Sequence, residues 1–249
     1  MDVVRAALSI RDAMLPLTFR AMTSTIDIHQ LPQPDAVIFD LDGTLVDTVE
    51  QRIEAWRRTF DEVGITSRRE ELVPLIGLDG KRLAREVHAL AGQPIDDARA
   101  EVIDKRCGEI YEELNRDPRP LPGVRRLFET IDSRGLESAI ATSSRKEQVK
   151  TSVDALGLAH EPTIVDASHV EHAKPEPDLL LRAAEELGVD PSRAWYIGDS
   201  TWDMVASVAA AMIPIGVLAG AAGTREALEG AGAAVVVETL DEIADALTR

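Results

Sequence analysis

The stretch Ala36-Val37-Ile38-Phe39-Asp40-Leu41-Asp42-Gly43-Thr44-Leu45-Val46-Asp47 decides the fold. Its first four residues are apolar and partly β-branched, the pattern of a short buried strand. Asp40 then falls at the strand's carboxyl end, where open α/β sheets carry their ligand crevices. Asp42 follows two residues on, and Gly43 lets the chain turn sharply and come close to a ligand. Two carboxylates at one strand tip repel each other, an arrangement that persists where a cation or a reaction uses it. An Asp-Gly pair also suits a hairpin, but no alternating strand follows Thr44. Instead Ile53, Trp56, Phe60 and Val63 recur at helical spacing, so the segment reads strand, loop, helix.

Beyond that segment the chain keeps a βα rhythm. Short apolar strands are expected at 137–141, 162–165, 194–197, 213–217 and 233–237. Helical patterns lie around 124–134, 146–156, 177–187, 202–211, 224–229 and 240–247, and Gly135, Gly157, Gly188 and Gly230 fall where helices should end. Alternation of this kind implies βαβ units and a mostly parallel, doubly wound sheet of the Rossmann-like type. Between the first two strands the rhythm breaks. Residues 50–118 hold helical stretches, including 82–91 and 98–114, and no convincing strand. Pro118, Pro120 and Pro122 then form a stiff boundary. The domain plan is therefore an α/β core from 35–49 and 119–249, a helical insert at 50–118, and an N-terminal extension at 1–34.

Composition narrows the function. The 249 residues suffice for a full core, and 45% hydrophobic with 29% charged residues is ordinary for a globular protein. With 27 basic against 44 acidic residues the net charge is −17. Such a surface repels nucleic acid and anionic membranes, so neither is an expected partner. Cys107, the one cysteine, can form no internal disulfide, and a reduced cytoplasm is the expected compartment. The five histidines form no pair at helical ligand spacing, which argues against zinc. Gly77, Gly80 and Lys81 lack the spacing of a nucleotide P-loop.

Three further clusters sit at strand ends or helix starts. The second strand runs into Thr142-Ser143-Ser144, Lys174 precedes Pro175, and the fourth strand leads into Gly198-Asp199-Ser200-Thr201-Trp202-Asp203. Asp199 and Asp203, four apart, would share one face of a helix's first turn; a capping role for Asp199 is the alternative. Aspartates from two strand ends can build an oxygen-rich site suited to Mg²⁺. A hydroxyl and a lysine beside them make a cradle for a phosphoryl group.

The order DxDGT, Thr/Ser after a strand, Lys-Pro, then GDxxxD resembles the haloacid dehalogenase superfamily of phosphohydrolases, over roughly residues 35 to 240. The helical insert after the first motif resembles the α-helical cap of the subgroup containing phosphoglycolate phosphatases and β-phosphoglucomutases. The resemblance implies that Asp40 attacks phosphorus and forms an aspartyl phosphate. It implies that Asp42 protonates the leaving oxygen and later deprotonates water, and crowding by Asp40 and substrate would supply the protonated carboxyl. Asp40, the carbonyl of Asp42, Asp199 and Asp203 would hold Mg²⁺. Thr142 and the Ser143 amide would bind transferring oxygens, and Lys174 would neutralise charge. Gly43 and Thr44 would line the substrate, and the cap stretch 77–82 would lie over it, with Lys81 or Arg82 pairing a distal carboxylate or phosphate or staying solvated.

The carboxylate at Asp42 favours phosphate ester chemistry over dehalogenation or phosphonate cleavage. The implied function is a phosphatase for a small phosphorylated metabolite, two-carbon or sugar phosphate, with a cap hinged near residues 49 and 119. A phosphosugar mutase is the alternative, although Arg52 and Gly80 stand where the mutase pattern has histidine and arginine. A non-catalytic phosphoryl-binding module is a third reading. The sequence leaves oligomeric state open. In the extension, 23–34 reads as a linker after a short amphipathic helix, and Met22 is expected to be the natural start. Mass spectrometry of natively expressed protein that found Met1 or Asp2 at its amino end would refute that start.

Overall fold

The structure, a computed structural model, describes residues 27–220 and 222–248. The expected amphipathic helix and the choice of start codon lie outside the described residues. Six strands form the sheet among them: β1 (Ala36–Phe39), β2 (Glu137–Ala141), β3 (Thr163–Val165), β4 (Ala194–Gly198), β5 (Ile213–Val217) and β6 (Val235–Val237). Their order is β3-β2-β1-β4-β5-β6 and every pairing is parallel. Chain direction out of β1 therefore switches between its two neighbours, β2 and β4, and a crevice opens at their carboxyl ends. Asp40 and Asp199 both stand at that edge.

Helices α1 (Val49–Glu62), α2 (Arg69–Leu72), α3 (Gly80–Leu90) and α4 (Asp97–Leu114) make the insertion between β1 and β2. The others are α5 (Val124–Arg134), α6 (Lys146–Leu156), α7 (Asp178–Leu187), α8 (Thr201–Ala209), α9 (Arg225–Gly230) and α10 (Leu240–Leu247). Side chains of β1 alternate between the faces of the sheet. Val37 and Phe39 pack with Leu127, Phe128 and Ile131 of α5 and Ile243 and Leu247 of α10. Ala36 and Ile38 pack with Leu179, Leu180 and Ala183 of α7. Burial on both faces is why the strand reads as a continuous apolar run.

The helical insertion has its own core, built on Ile53, Trp56 and Phe60 of α1, Leu83 of α3, and Ile103, Ile110 and Tyr111 of α4. Trp202 of the α/β body joins this cluster, and its Nε1 donates to the Pro74 carbonyl at 2.9 Å. Two chain crossings connect insertion and body, and they run side by side. Asp47 N donates to Arg119 O and Leu121 N to Leu45 O, both at 2.9 Å.

Two local expectations change. From Asp27 on, the supposed linker packs on the body: Ile28 is buried in the sheet's core and Trp195 Nε1 donates to Pro32 O at 3.0 Å. Asp199 is not on α8, since Ser200 is the N-cap and Asp203 closes the capping box from the third helical position.

Gly43 shows how tightly the turn after β1 is drawn. Its φ is +82°, and a Cβ there would lie 2.2 Å from Asp199 Oδ2. Gly43→Ala is therefore expected to destabilise the protein by about 1–3 kcal/mol through backbone strain and a displaced Asp199. Urea unfolding with an unchanged midpoint would show that the turn relaxes without cost.

Candidate active site

The site grows from the carboxyl ends of β1 and β4. Asp40 follows Phe39 directly, and its N donates to Ile197 O at 2.9 Å, which ties the turn to the neighbouring strand. Asp40, Asp199 and Asp203 are all buried, and one oxygen of each lies within 4.8 Å of the others. Lys174, fully buried and followed by a cis peptide to Pro175, reaches this cluster. Its Nζ donates to Asp40 Oδ1 at 2.5 Å and to Asp203 Oδ1 at 2.8 Å. Tyr196 Oη also donates to Asp203 Oδ1, and the other oxygen of Asp203 takes the Ser200 amide and hydroxyl. Asp203 is thus a fixed post.

Three buried carboxylates facing one ammonium leave an excess of two negative charges. Burial, followed by the charges of Asp203 and Asp42, pushes Asp40 up to about 7 against the pull of Lys174. Burial and the charges of Asp203 and Asp40 push Asp199 well above the usual range. Burial would lower Lys174, but Asp203 and Asp40 outweigh it and hold the ammonium charged. Burial leads for the two carboxyls and opposes the lysine, and the neighbouring negative charge pushes all three upward.

Asp199 Oδ1 accepts from Thr44 Oγ1 at 3.3 Å, while Oδ2 is buried with no hydrogen-bond partner. An orphaned carboxylate oxygen in a charge-excess cluster fits a divalent cation held by oxygen ligands. Asp40, Asp199 and Asp203 thus form a buried triad able to hold a metal ion.

Asp42 stands apart from the cluster. Its Oδ1 accepts from Thr48 Oγ1 and Tyr111 Oη, both at 2.7 Å. Its Oδ2 accepts from Ser144 Oγ at 2.6 Å and Arg52 Nη2 at 2.9 Å. Burial would raise this carboxyl, but Arg52 and the three hydroxyls overcome it and hold Asp42 at about 2. The protonated Asp42 expected from crowding by Asp40 and substrate is therefore not the form its neighbours in the protein favour. The neighbour that governs Asp42 is a guanidinium.

A cavity of ≈ 50 Å³ joins Asp40 and Asp42 to Thr142, Ser143, Ser144, Arg52, Trp56, Ile76, Gly77, Leu78, Leu83, Asp104, Arg145 and Gln148 among its walls. Thr142 is buried there and its Oγ1 accepts from Ser144 N at 3.1 Å. Ser143 Oγ donates to Gly77 O at 3.3 Å, which seats the 77–82 loop on the body. Thr44 does not line the cavity; it braces Asp199.

Lys81 and Arg82 also lie outside the lining. Lys81 faces Glu101 at 3.9 Å, and Arg82 faces Glu176 at 3.7 Å along an adjoining cleft. The cap's cation at the reaction cavity is Arg52. From the sequence Arg52 stands out only as a departure from the mutase pattern and Ser144 only within a hydroxyl cluster, while Thr48, Tyr111 and Tyr196 do not stand out. Thr48 and Arg52 do carry a signal, since residues four apart at a helix start share a face. Tyr111 carries none, being 69 positions from its partner.

Comparisons with known proteins agree with this geometry. The model of the haloacid dehalogenase-like hydrolase family matches residues 37–217. The chain is 30% identical over 219 residues to the N-acetylmuramic acid 6-phosphate phosphatase of Pseudomonas aeruginosa, covering 86% of this chain and 95% of that one. It is 29% identical over 220 residues to a phosphoglycolate phosphatase of Rhodospirillum rubrum, covering 85% and 90%. A crystal structure of a hydrolase from Pseudomonas syringae superposes with a TM-score of 0.81 at 33% identity, covering 87% of this chain and 98% of that one. Six parallel strands, a helical cap and a buried aspartate triad at the β1 and β4 tips thus come together in one chain, which belongs to the haloacid dehalogenase-like hydrolases as a phosphatase of small phosphorylated substrates.

Proposed function

We propose that the protein is a Mg²⁺-dependent phosphatase of a compact phosphorylated metabolite, working through an aspartyl phosphate on Asp40. The observation that carries this reading is Asp40 itself, a buried carboxylate held by Lys174 at the switch point of the sheet and opening onto the cavity. Asp40, Asp199 and Asp203 would hold the ion, with the carbonyl of Asp42 beside them. Bound there, Mg²⁺ would offset the two excess negative charges and polarise the phosphoryl oxygens.

The remaining work falls to the chain's own groups. A carboxylate oxygen of Asp40 attacks phosphorus, the bond to the leaving oxygen breaks, and Asp42, released from Arg52 and protonated from solvent beside the anionic substrate, gives that oxygen a proton. Asp42 then takes a proton from water as its oxygen attacks the aspartyl phosphate, releasing phosphate and restoring Asp40. Thr142 and the Ser143 amide orient transferring oxygens, and Lys174 holds the Asp40 oxygen in place and offsets its charge.

At ≈ 50 Å³ the cavity has room for about four water-sized groups, the scale of the transferring phosphoryl group itself. Phosphoglycolate-like and sugar phosphates are the favoured substrates on the chain's likeness to phosphatases of such esters. The lone Cys107, buried and pushed up to about 12 by that burial, is unsuited to thiol chemistry.

Asp40→Asn is expected to lower p-nitrophenyl phosphate turnover by about 10⁴-fold or more while the protein stays folded. In wild type, EDTA should stop turnover and Mg²⁺ restore it. Turnover surviving in the folded variant would exclude Asp40 as nucleophile, and indifference to EDTA would remove the metal from the reaction.

A further inference from the structure

Arg52 presents a problem that the proposed reaction must solve. Its side chain is 12% exposed, its guanidinium carbon lies 3.4 Å from the centroid of the Tyr111 ring, and Nη1 donates to Gln148 Oε1 at 2.8 Å. Asp42 is the carboxylate bonded to it, at 2.9 Å. The other three donors to Asp42 also hold it within this cage, and none of them belongs to the Asp40–Asp199–Asp203 cluster. For Asp42 to reach the leaving oxygen it must quit this cage, which strands a buried guanidinium. A buried cation without an anion is strongly unfavourable. Arg145, the other guanidinium on the cavity wall, keeps its own counter-ions, Asp104 and Glu101, throughout.

We propose that Arg52 is the specificity-determining residue of this site, holding Asp42 until an anionic group on the leaving portion of the substrate replaces that carboxylate on the guanidinium. The exchange keeps Arg52 paired and frees Asp42 only when the cavity contains a substrate of the right charge. It rests on the phosphatase reading above and narrows it to esters carrying a second anion, either a carboxylate or a second phosphate. The position of Arg52 fits the task, since α1 brings it from the cap while Asp42 and Ser144 belong to the body. A hydroxyl on the leaving portion cannot substitute, because it leaves the guanidinium's charge unmatched.

Matched substrates at one pH separate the possibilities. For the carboxylate, 2-phosphoglycolate is compared with 2-hydroxyethyl phosphate; for the second phosphate, fructose 1,6-bisphosphate is compared with fructose 1-phosphate. Wild type should favour the member bearing the second anionic group of at least one pair in kcat/KM by about tenfold or more, and the pair that shows it identifies the anion. Arg52→Gln should erase that preference, chiefly by lowering kcat on the charged ester, and Arg52→Lys should restore part of it. Loss of activity by one common factor on both members would make Arg52 merely structural and overturn the proposal. So would a wild-type enzyme that shows no preference in either pair while still hydrolysing p-nitrophenyl phosphate, a result that leaves the phosphatase reading intact. Failure on every ester, p-nitrophenyl phosphate included, would instead overturn the reading beneath it. Should Arg52→Gln not fold, Arg52→Lys decides alone, and an unchanged preference refutes the exchange.

Discussion

The ion pair between Lys174 and Asp40, seated among two further carboxylates, is the constraint around which the molecule is arranged. Burying one ammonium with three aspartates is tolerable only if every available donor is used. Tyr196 rises from β4 to meet Asp203, Ser200 closes the α8 cap onto the same side chain, and Thr44 turns back from the β1 loop to Asp199. The sheet supplies rigid tips, the helix start supplies amides, and the remaining charge imbalance defines what must bind. Fold and electrostatics are one design here. The strand order 3-2-1-4-5-6 matters because it sets the ends of β1 and β4 side by side.

A second polar centre, around Asp42, obeys different rules. There a single carboxylate is fully satisfied, with two donors on each oxygen, and the donors come from linker, cap and body together. Asn115 extends the network by donating to Tyr111 Oη at 2.9 Å and to Ser152 Oγ at 3.0 Å. The two centres contrast: one has more anion than it can balance, the other fills every acceptor position of a single anion. The reaction cavity lies between them, and that contrast gives it a chemical direction.

What the sequence made legible was local. A strand, two aspartates and a glycine lie within eight contiguous residues, and GDxxxD does the same for β4 and α8, so both tips could be placed by period and turn chemistry. Asp203 was assigned to the site on the argument that i and i+4 share a helical face, whereas the structure joins it to Asp199 through the cap at Ser200. The Asp42 cage was not legible, because Thr48, Arg52, Tyr111 and Ser144 meet only after the insertion folds onto the body. For the same reason a lysine in the glycine-rich loop drew attention that belonged to an arginine on α1. Long-range polar contacts leave no periodic trace.

The paired crossings at 45–47 and 119–121 carry a final consequence. Hydrogen-bonded neighbouring strands lie about 5 Å apart, so the polypeptide leaves the body and returns to it through almost the same doorway. Any segment whose ends can meet at that spacing could be spliced in without disturbing the sheet or its aspartates. An exchanged insertion would leave the Asp40–Asp199–Asp203 cluster in place and change only the donors that the cap lends to Asp42.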